Sequence, residues 1–246
     1  GKVDEVRVYS RALTSGEIQS LYDNGQSDEV NTGASQAQGG GRLDSGLTGY
    51  WKMDDGAGTS ATDSSTNGNA GTLTNGPTWT TGQIGGAVSY DGIDDYVTTS
   101  TVLPNKGTLA AWVNPNFSLT PSALYDIFYS APAGNMLRLR ANTFEGHDGF
   151  ELTVRGAFGT QVDVSGPIYT SDTQIQGWHH IVATWDTALG ASLYIDGVLA
   201  GSSNTTTNSL DPMALTIGGT LNFWKGKIDE SRLYGRQLSP EEISQL

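Results

Sequence analysis

Apolar and polar side chains alternate along much of this 246-residue chain. In Leu137-Arg138-Leu139-Arg140 and in Leu152-Thr153-Val154-Arg155 every second residue is apolar, the period of a strand with one buried face. Similar short runs, separated by Gly, Asn, Asp and Ser turns, predict strands at Leu47–Met53, Gly71–Leu73, Ala87–Tyr90, Asp95–Thr98, Thr108–Val113 and Asp126–Tyr129. They continue at Met136–Arg140, Phe150–Arg155, His179–Trp185, Ala191–Ile195, Ala214–Ile217 and Gly226–Tyr234. Asp196-Gly197 marks a tight hairpin turn. Helix is predicted only near the two ends, where Thr14-Ser15-Gly16-Glu17 and Ser239-Pro240-Glu241-Glu242 form capping boxes ahead of Ile18 and Ile243. The pattern is that of an all-β sandwich of short strands.

The two ends also repeat each other. Gly1-Lys2-Val3-Asp4-Glu5-Val6-Arg7-Val8-Tyr9 returns as Gly226-Lys227-Ile228-Asp229-Glu230-Ser231-Arg232-Leu233-Tyr234, and the match continues to Leu21 and Leu246. Residues 23–45, with Asn24-Gly25 and Gly39-Gly40-Gly41, show no periodicity and read as a flexible linker. The predicted organisation is a strand–helix tail of a preceding repeat at 1–22, that linker, and one complete domain at 46–246. The chain reads as a slice of a tandem array.

Composition narrows the partners. A net charge of −13 is unsuited to phosphate backbones and argues against nucleic acid as a ligand. No apolar run is long enough to span a bilayer, so membrane insertion is not expected. Without Cys there are no disulfides, thiolate metal sites or Cys nucleophile. The carboxylates suit calcium, a hard cation that takes oxygen ligands.

The segments GYWKMDDGAGTSATDSSTNGNAGTL, GGAVSYDGIDDYVTT, GTLAAWVNP, GWHHIVATWD, ASLYIDGVLAG and GKIDESRLYGRQLSPEEISQL follow one another in that order. Together they resemble the laminin-G-like, concanavalin A-like domains of bacterial surface and secreted proteins, over about residues 46–246. The resemblance implies an antiparallel jelly-roll β-sandwich with short terminal helices, an extracellular or cell-surface location, and a structural calcium. It places that ion on Asp54, the carbonyl of Gly92, and Asp229. Asp91, in the same acidic turn as Gly92, is added as a fourth candidate ligand. Asp also favours turns through local hydrogen bonds, and Asp63 is assigned to that role.

Other chemistry is sparse. Glu145, Asp148 and Glu151 are spaced three apart, which puts successive acids on opposite strand faces rather than in the close pair a glycosidase needs. His179 and His180 are adjacent and point to opposite faces, so they suit framework packing better than one metal. Trp51, Trp112 and Trp185 fall at core positions of strands. Sugar-stacking candidates are therefore sought in loops: Trp224, Phe223, Asn222, Phe144, His147 and Tyr125, with Arg138 as a further polar contact. The expected function is a non-catalytic, calcium-stabilised adhesion or carbohydrate-binding module of a larger repeat protein, with a glycan as partner. The alternative is a structural repeat or filament subunit that self-associates head-to-tail through residues 1–25. A glycoside hydrolase ranks last.

Overall fold

The computed structural model describes residues 43–119, 122–131, 135–144, 148–156, 160–210 and 214–246. The repeat copy and linker expected before residue 43, together with Glu145 and His147, lie outside the described residues. In chain order the strands begin with β1 (Leu47–Trp51), β2 (Ser60–Ala61), β3 (Gly71–Thr74), β4 (Thr78–Thr81), β5 (Gly86–Asp91), β6 (Tyr96–Val102), β7 (Lys106–Pro115) and β8 (Leu124–Ser130). They continue with β9 (Met136–Asn142), β10 (Gly149–Arg155), β11 (Gln161–Ser165), β12 (His179–Asp186), β13 (Gly190–Ile195), β14 (Val198–Ser203), β15 (Ala214–Ile217) and β16 (Lys225–Tyr234). Two four-residue helices, α1 (Asp172–Ile175) and α2 (Pro240–Ile243), complete the described elements.

The strands form two antiparallel sheets. Sheet A runs β14-β13-β12-β7-β16-β5-β4, with β1 also paired to β16. Sheet B runs β11-β10-β9-β8-β15-β6-β3-β2. The architecture is the antiparallel sandwich expected from the residue pattern. Every strand predicted from residue 47 onward is present, and β2, β4, β11, β14 and α1 are additional.

One face of each sheet supplies the main core. Leu109, Val113, Ile181, Trp185 and Leu233 come from sheet A, and Phe128, Leu137, Leu139, Leu152 and Val162 from sheet B. Burying each of these contributes about 1.5–3 kcal/mol. The other face of sheet A carries a second cluster in which Ala110, Val182 and Tyr234 pack under Leu238 and Ile243. The capping box predicted there is formed, with Ser239 accepting from the Glu242 N–H and Glu242 accepting from the Ser239 N–H. Arg236 clamps the same Glu242 through two bonds of 2.7 Å.

Period two also corrects one expectation. Ala111 and Val113 face the main core, so Trp112 between them points outward, half-buried, with its ring 5.1 Å from that of His180. Trp51 and Trp185 are core residues as expected. Asp63 orders its loop as predicted, taking the N–H groups of Tyr50, Ser65 and Asn69. At the β13–β14 hairpin Asp196 and Gly197 both adopt positive φ (51° and 78°), the geometry of a two-residue turn.

Candidate functional site

The face of sheet B turned away from the core is polar. Arg140 on β9 lies opposite Asp126 on β8 and Glu151 on β10. One step along, Arg138 lies between Tyr129 and Thr153, and Thr153 opposes Asp163 on β11. The result is an array in which guanidinium groups alternate with carboxylates across adjacent strands. Glu151 accepts from Arg140 Nη2 at 2.7 Å and from Asn142 Nδ2 at 2.9 Å. Arg138 pairs with Asp126 through Nε at 3.2 Å and lies over the Tyr129 ring at 5.1 Å. Nε of Arg140 and of Arg155 finds no acceptor among the described residues.

Burial sets the electrostatics of this array. Asp126 is fully buried, and desolvation pushes its carboxyl up to about 6, against the pull of Arg138 and the side-chain bond from Asn222. The Asp126 backbone N–H also bonds the Asn222 carbonyl at 2.7 Å. Asn222 therefore ties the β15–β16 loop to the array. On the far side Asn142 Oδ1 accepts from the N–H of Phe144, whose ring is exposed.

Of the loop residues expected to bind a ligand, Asn222 and Phe144 thus border one face. Trp224 does not: it is fully buried and packs edge-on against Phe117 at 5.6 Å. It belongs to the same core cluster as Ile217 on β15 and Ile228 on β16, so the loop turns its ring inward. Tyr125 stacks on Phe117 at 3.9 Å and is a packing residue, and half-buried Phe223 sits 6.5 Å from Tyr96. Asp126, Arg140 and Glu151 were missed as a group because their proximity depends on the register of three strands. Glu151 lies on β10 as part of this array, and Asp148 precedes that strand, so the two do not form an acid pair on one strand face.

The expected cation ligands separate into two places. Asp229 Oδ2 accepts from the N–H groups of Gln83 and Ile84, both at 2.9 Å, and Asp54 Oδ1 accepts from the Gly86 N–H at 2.6 Å. Both carboxylates therefore meet the turn Gly82–Gly86. A Cβ on Gly82 would lie 2.1 Å from the Gly86 carbonyl oxygen, and one on Gly86 would lie 2.6 Å from that of Met53. Asp91 and Gly92 are elsewhere. Asp91 pairs with Lys225, four residues before Asp229 and about 13 Å along the strand. Gly92 is at φ 80°, where a Cβ would strike the Lys225 side chain at 2.7 Å. Asp91 accepts from the Ile93 N–H as an Asx turn and approaches Asp94 and Asp95 within 4.8 Å.

The Asp54–Asp229 turn fits a hard cation by its donor chemistry. Asp229 is fully buried, yet its Oδ1 has no donor among the described residues. Burial pushes this carboxyl up to about 6, with Glu230 adding repulsion. A buried carboxylate oxygen without a partner costs stability, and carbonyls of Met53 and Gly86 lie at the same turn.

A sequence profile for the concanavalin A-like lectin/glucanases superfamily matches residues 91–244. The chain belongs to this superfamily. Curated protein sequences gave no match. Among solved structures, it resembles domain 4 of AbnA, a GH43 extracellular arabinanase from Geobacillus stearothermophilus, in complex with arabinotriose. That pair has 21% identity and a TM-score of 0.64, over 81% of this chain and 97% of the other. The binding domain of botulinum neurotoxin DC, in complex with SialylT, shares 10% identity with a TM-score of 0.67, over 83% of this chain and 51% of that one. A Trypanosoma rangeli sialidase in complex with the inhibitor DANA shares 18% identity with a TM-score of 0.60, over 93% of this chain and 37% of the sialidase. The superfamily member thus spans about half of the toxin domain and about a third of the sialidase. Among the described residues no helix is long and apolar enough to cross a membrane.

Proposed function

We propose that this superfamily member is a non-catalytic carbohydrate-binding or adhesion module of an extracellular protein, and that it binds glycan on the polar face of sheet B. The observation that carries this reading is the array Asp126–Arg138–Arg140–Glu151, bordered by Asn222 and the exposed ring of Phe144. The buried carboxylates hold Arg138 and Arg140 in place; these partly exposed guanidinium groups bind sugar hydroxyls by hydrogen bonds, and an exposed ring packs on sugar C–H faces. Complexes of similar domains with arabinotriose and SialylT support the ligand class. The carboxylates favour binding over turnover: Asp126 is fully buried, and Glu151 is already held by Arg140 and Asn142.

Calcium belongs to the same reading as a brace. Asp229 Oδ1, Asp54 and the carbonyls of Met53 and Gly86 would hold it, tying the Gly82–Gly86 turn to β16. A glycan array run with calcium present tests the proposal, followed by titration of the best ligand into the parent and the Arg140→Lys variant. Arg140→Lys keeps the charge but loses the planar fork, and at least a tenfold weaker Kd is expected, about 1.4 kcal/mol. An array with no saturable ligand contradicts the proposal.

A further inference from the structure

Among the described residues, the outward face of sheet B carries three guanidinium groups, and the protein itself neutralises two of them. Arg138 is paired with Asp126, and Arg140 with Glu151. Arg155, at the end of β10, makes no hydrogen bond or ion pair with any described residue. Its phase puts it on the same face: Leu152 and Val154 are core residues, so Thr153 and Arg155 point the other way. Arg155 lies opposite Met136 on β9 and Gln161 on β11. Arg138 is its diagonal neighbour, about 7–8 Å away between backbones.

The carboxylates nearest to Arg155 along the sheet are committed elsewhere. Asp163, its diagonal neighbour on β11, accepts from the Thr153 hydroxyl at 2.7 Å and from the Gln161 side-chain amide at 2.8 Å. Glu151, four residues back on β10, is held by Arg140 and Asn142. Arg155 is half-buried, so it has given up part of its hydration, and its Nε is enclosed without an acceptor. A guanidinium stays charged and offers its N–H groups as a planar fork. The group that satisfies it best is a planar carboxylate, held through two parallel hydrogen bonds. A sugar hydroxyl brings one acceptor atom and no charge. The approach is open from the side, because Gln161 and Asp163 on the edge strand β11 are exposed. The net charge of −13 repels anions at long range, but salt screens that repulsion over about 8 Å, and a partly buried contact pair is screened much less.

We propose that the glycan taken by sheet B is acidic, with a uronic or sialic acid residue whose carboxylate is held by Arg155 while the adjoining sugar lies over Arg138 and Arg140. This rests on the assignment of glycan binding to that face and adds the class of sugar. Arg138 and Arg140 are held by internal partners and serve any sugar, whereas Arg155 has a demand that only an anionic sugar meets.

The test is a calorimetric titration, in calcium, of oligogalacturonate and of sialyllactose into the full chain, each beside its carboxyl-reduced form. At least one acidic oligosaccharide is expected to bind at least about tenfold more tightly than its reduced form, about 1.4 kcal/mol. Arg155→Gln should bring the acidic form down to the affinity of the reduced one, whereas Arg140→Lys should weaken both. The melting temperature of Arg155→Gln should match that of the parent, since the side chain has no partner to lose. Equal affinity for the acidic and reduced forms in the parent, or a preference that survives Arg155→Gln, overturns the proposal. Arg140-dependent binding of neutral glycans alone overturns the acidic class and leaves the assignment of sheet B standing. No saturable binding of any glycan removes both.

Discussion

The two outward faces of this sandwich are built by opposite rules. On sheet A the outward row Ala110, Val182 and Tyr234 is apolar and is covered by Leu238 and Ile243 of the same chain. On sheet B the outward row Asp126, Arg138, Arg140 and Glu151 is ionic, and its groups pair with one another across the strands. Apolar side chains are stabilised by a cover that removes water, whereas paired charges fixed by neighbouring strands can be offered to a polar ligand. Sheet A thus uses its outer face to close the fold, and sheet B keeps the ionic array on which glycan binding is proposed.

The largest effect expected from this contrast is on sheet A. Tyr234→Ala removes a buried ring from under α2 and should lower stability by about 3–5 kcal/mol in urea unfolding, while glycan affinity measured by titration stays within about twofold. A comparable loss of glycan affinity would break the division between the faces. Next is the cation brace at the edge of sheet A. EDTA should lower the melting temperature and added calcium restore it, by about 2.7 kcal/mol when calcium reaches about 100 times its Kd. Asp229→Asn should abolish the response, and a calcium-independent melt of the parent would remove the brace.

Two buried groups, Asp126 on sheet B and His180 on sheet A, contribute to the pH dependence of stability with opposite sign. Burial raises Asp126 on sheet B from 3.8 to about 6, so its contribution is complete below pH 3.8 and is lost as pH rises towards 6. Burial, with Arg232 nearby, lowers His180 on sheet A from 6.5 to about 4, so its contribution is present above pH 6.5 and is lost as pH falls towards 4. Urea unfolding between about pH 4 and 6 should therefore give a more positive slope of stability against pH for Asp126→Asn than for the parent. His180→Gln should give a less positive one. Slopes that move together would contradict these assignments. The smallest effect on folding is at Phe144: Phe144→Ala should change stability by less than about 0.5 kcal/mol, because the ring is exposed, yet weaken glycan binding.

Much of the fold was legible from local pattern. The period of two in β9 and β10, the Asp196-Gly197 turn and the Ser239–Glu242 capping box are written in adjacent residues. The short strands β2 and β4 were not, since Ser60-Ala61 and Thr78-Trp79-Thr80-Thr81 carry too few apolar residues to show a period. Trp112 was misplaced because a large aromatic suggests core, while its phase relative to Ala111 and Val113 sets it outward. The candidate site was least legible. Asp126, Arg140 and Glu151 become neighbours only through the pairing of β8, β9 and β10, and the bulge between Asp126 and Phe128 sets that register. Of the four expected cation ligands, Asp54 and Asp229 meet one turn, Gly82–Gly86, whereas Asp91 and Gly92 lie at another, because the pairing of β5 with β16 sets Asp91 opposite Lys225.

The most direct test of the recognition role is a calorimetric titration of an array-selected glycan, in calcium, into the parent, Arg140→Lys on sheet B, and Tyr194→Phe on sheet A, where half-buried Tyr194 of β13 packs against the second cluster. Saturable binding that weakens at least about tenfold in Arg140→Lys and is unchanged in Tyr194→Phe is the expected result. Equal affinity in the parent and Arg140→Lys, or a loss confined to Tyr194→Phe, would contradict the assignment of recognition to sheet B.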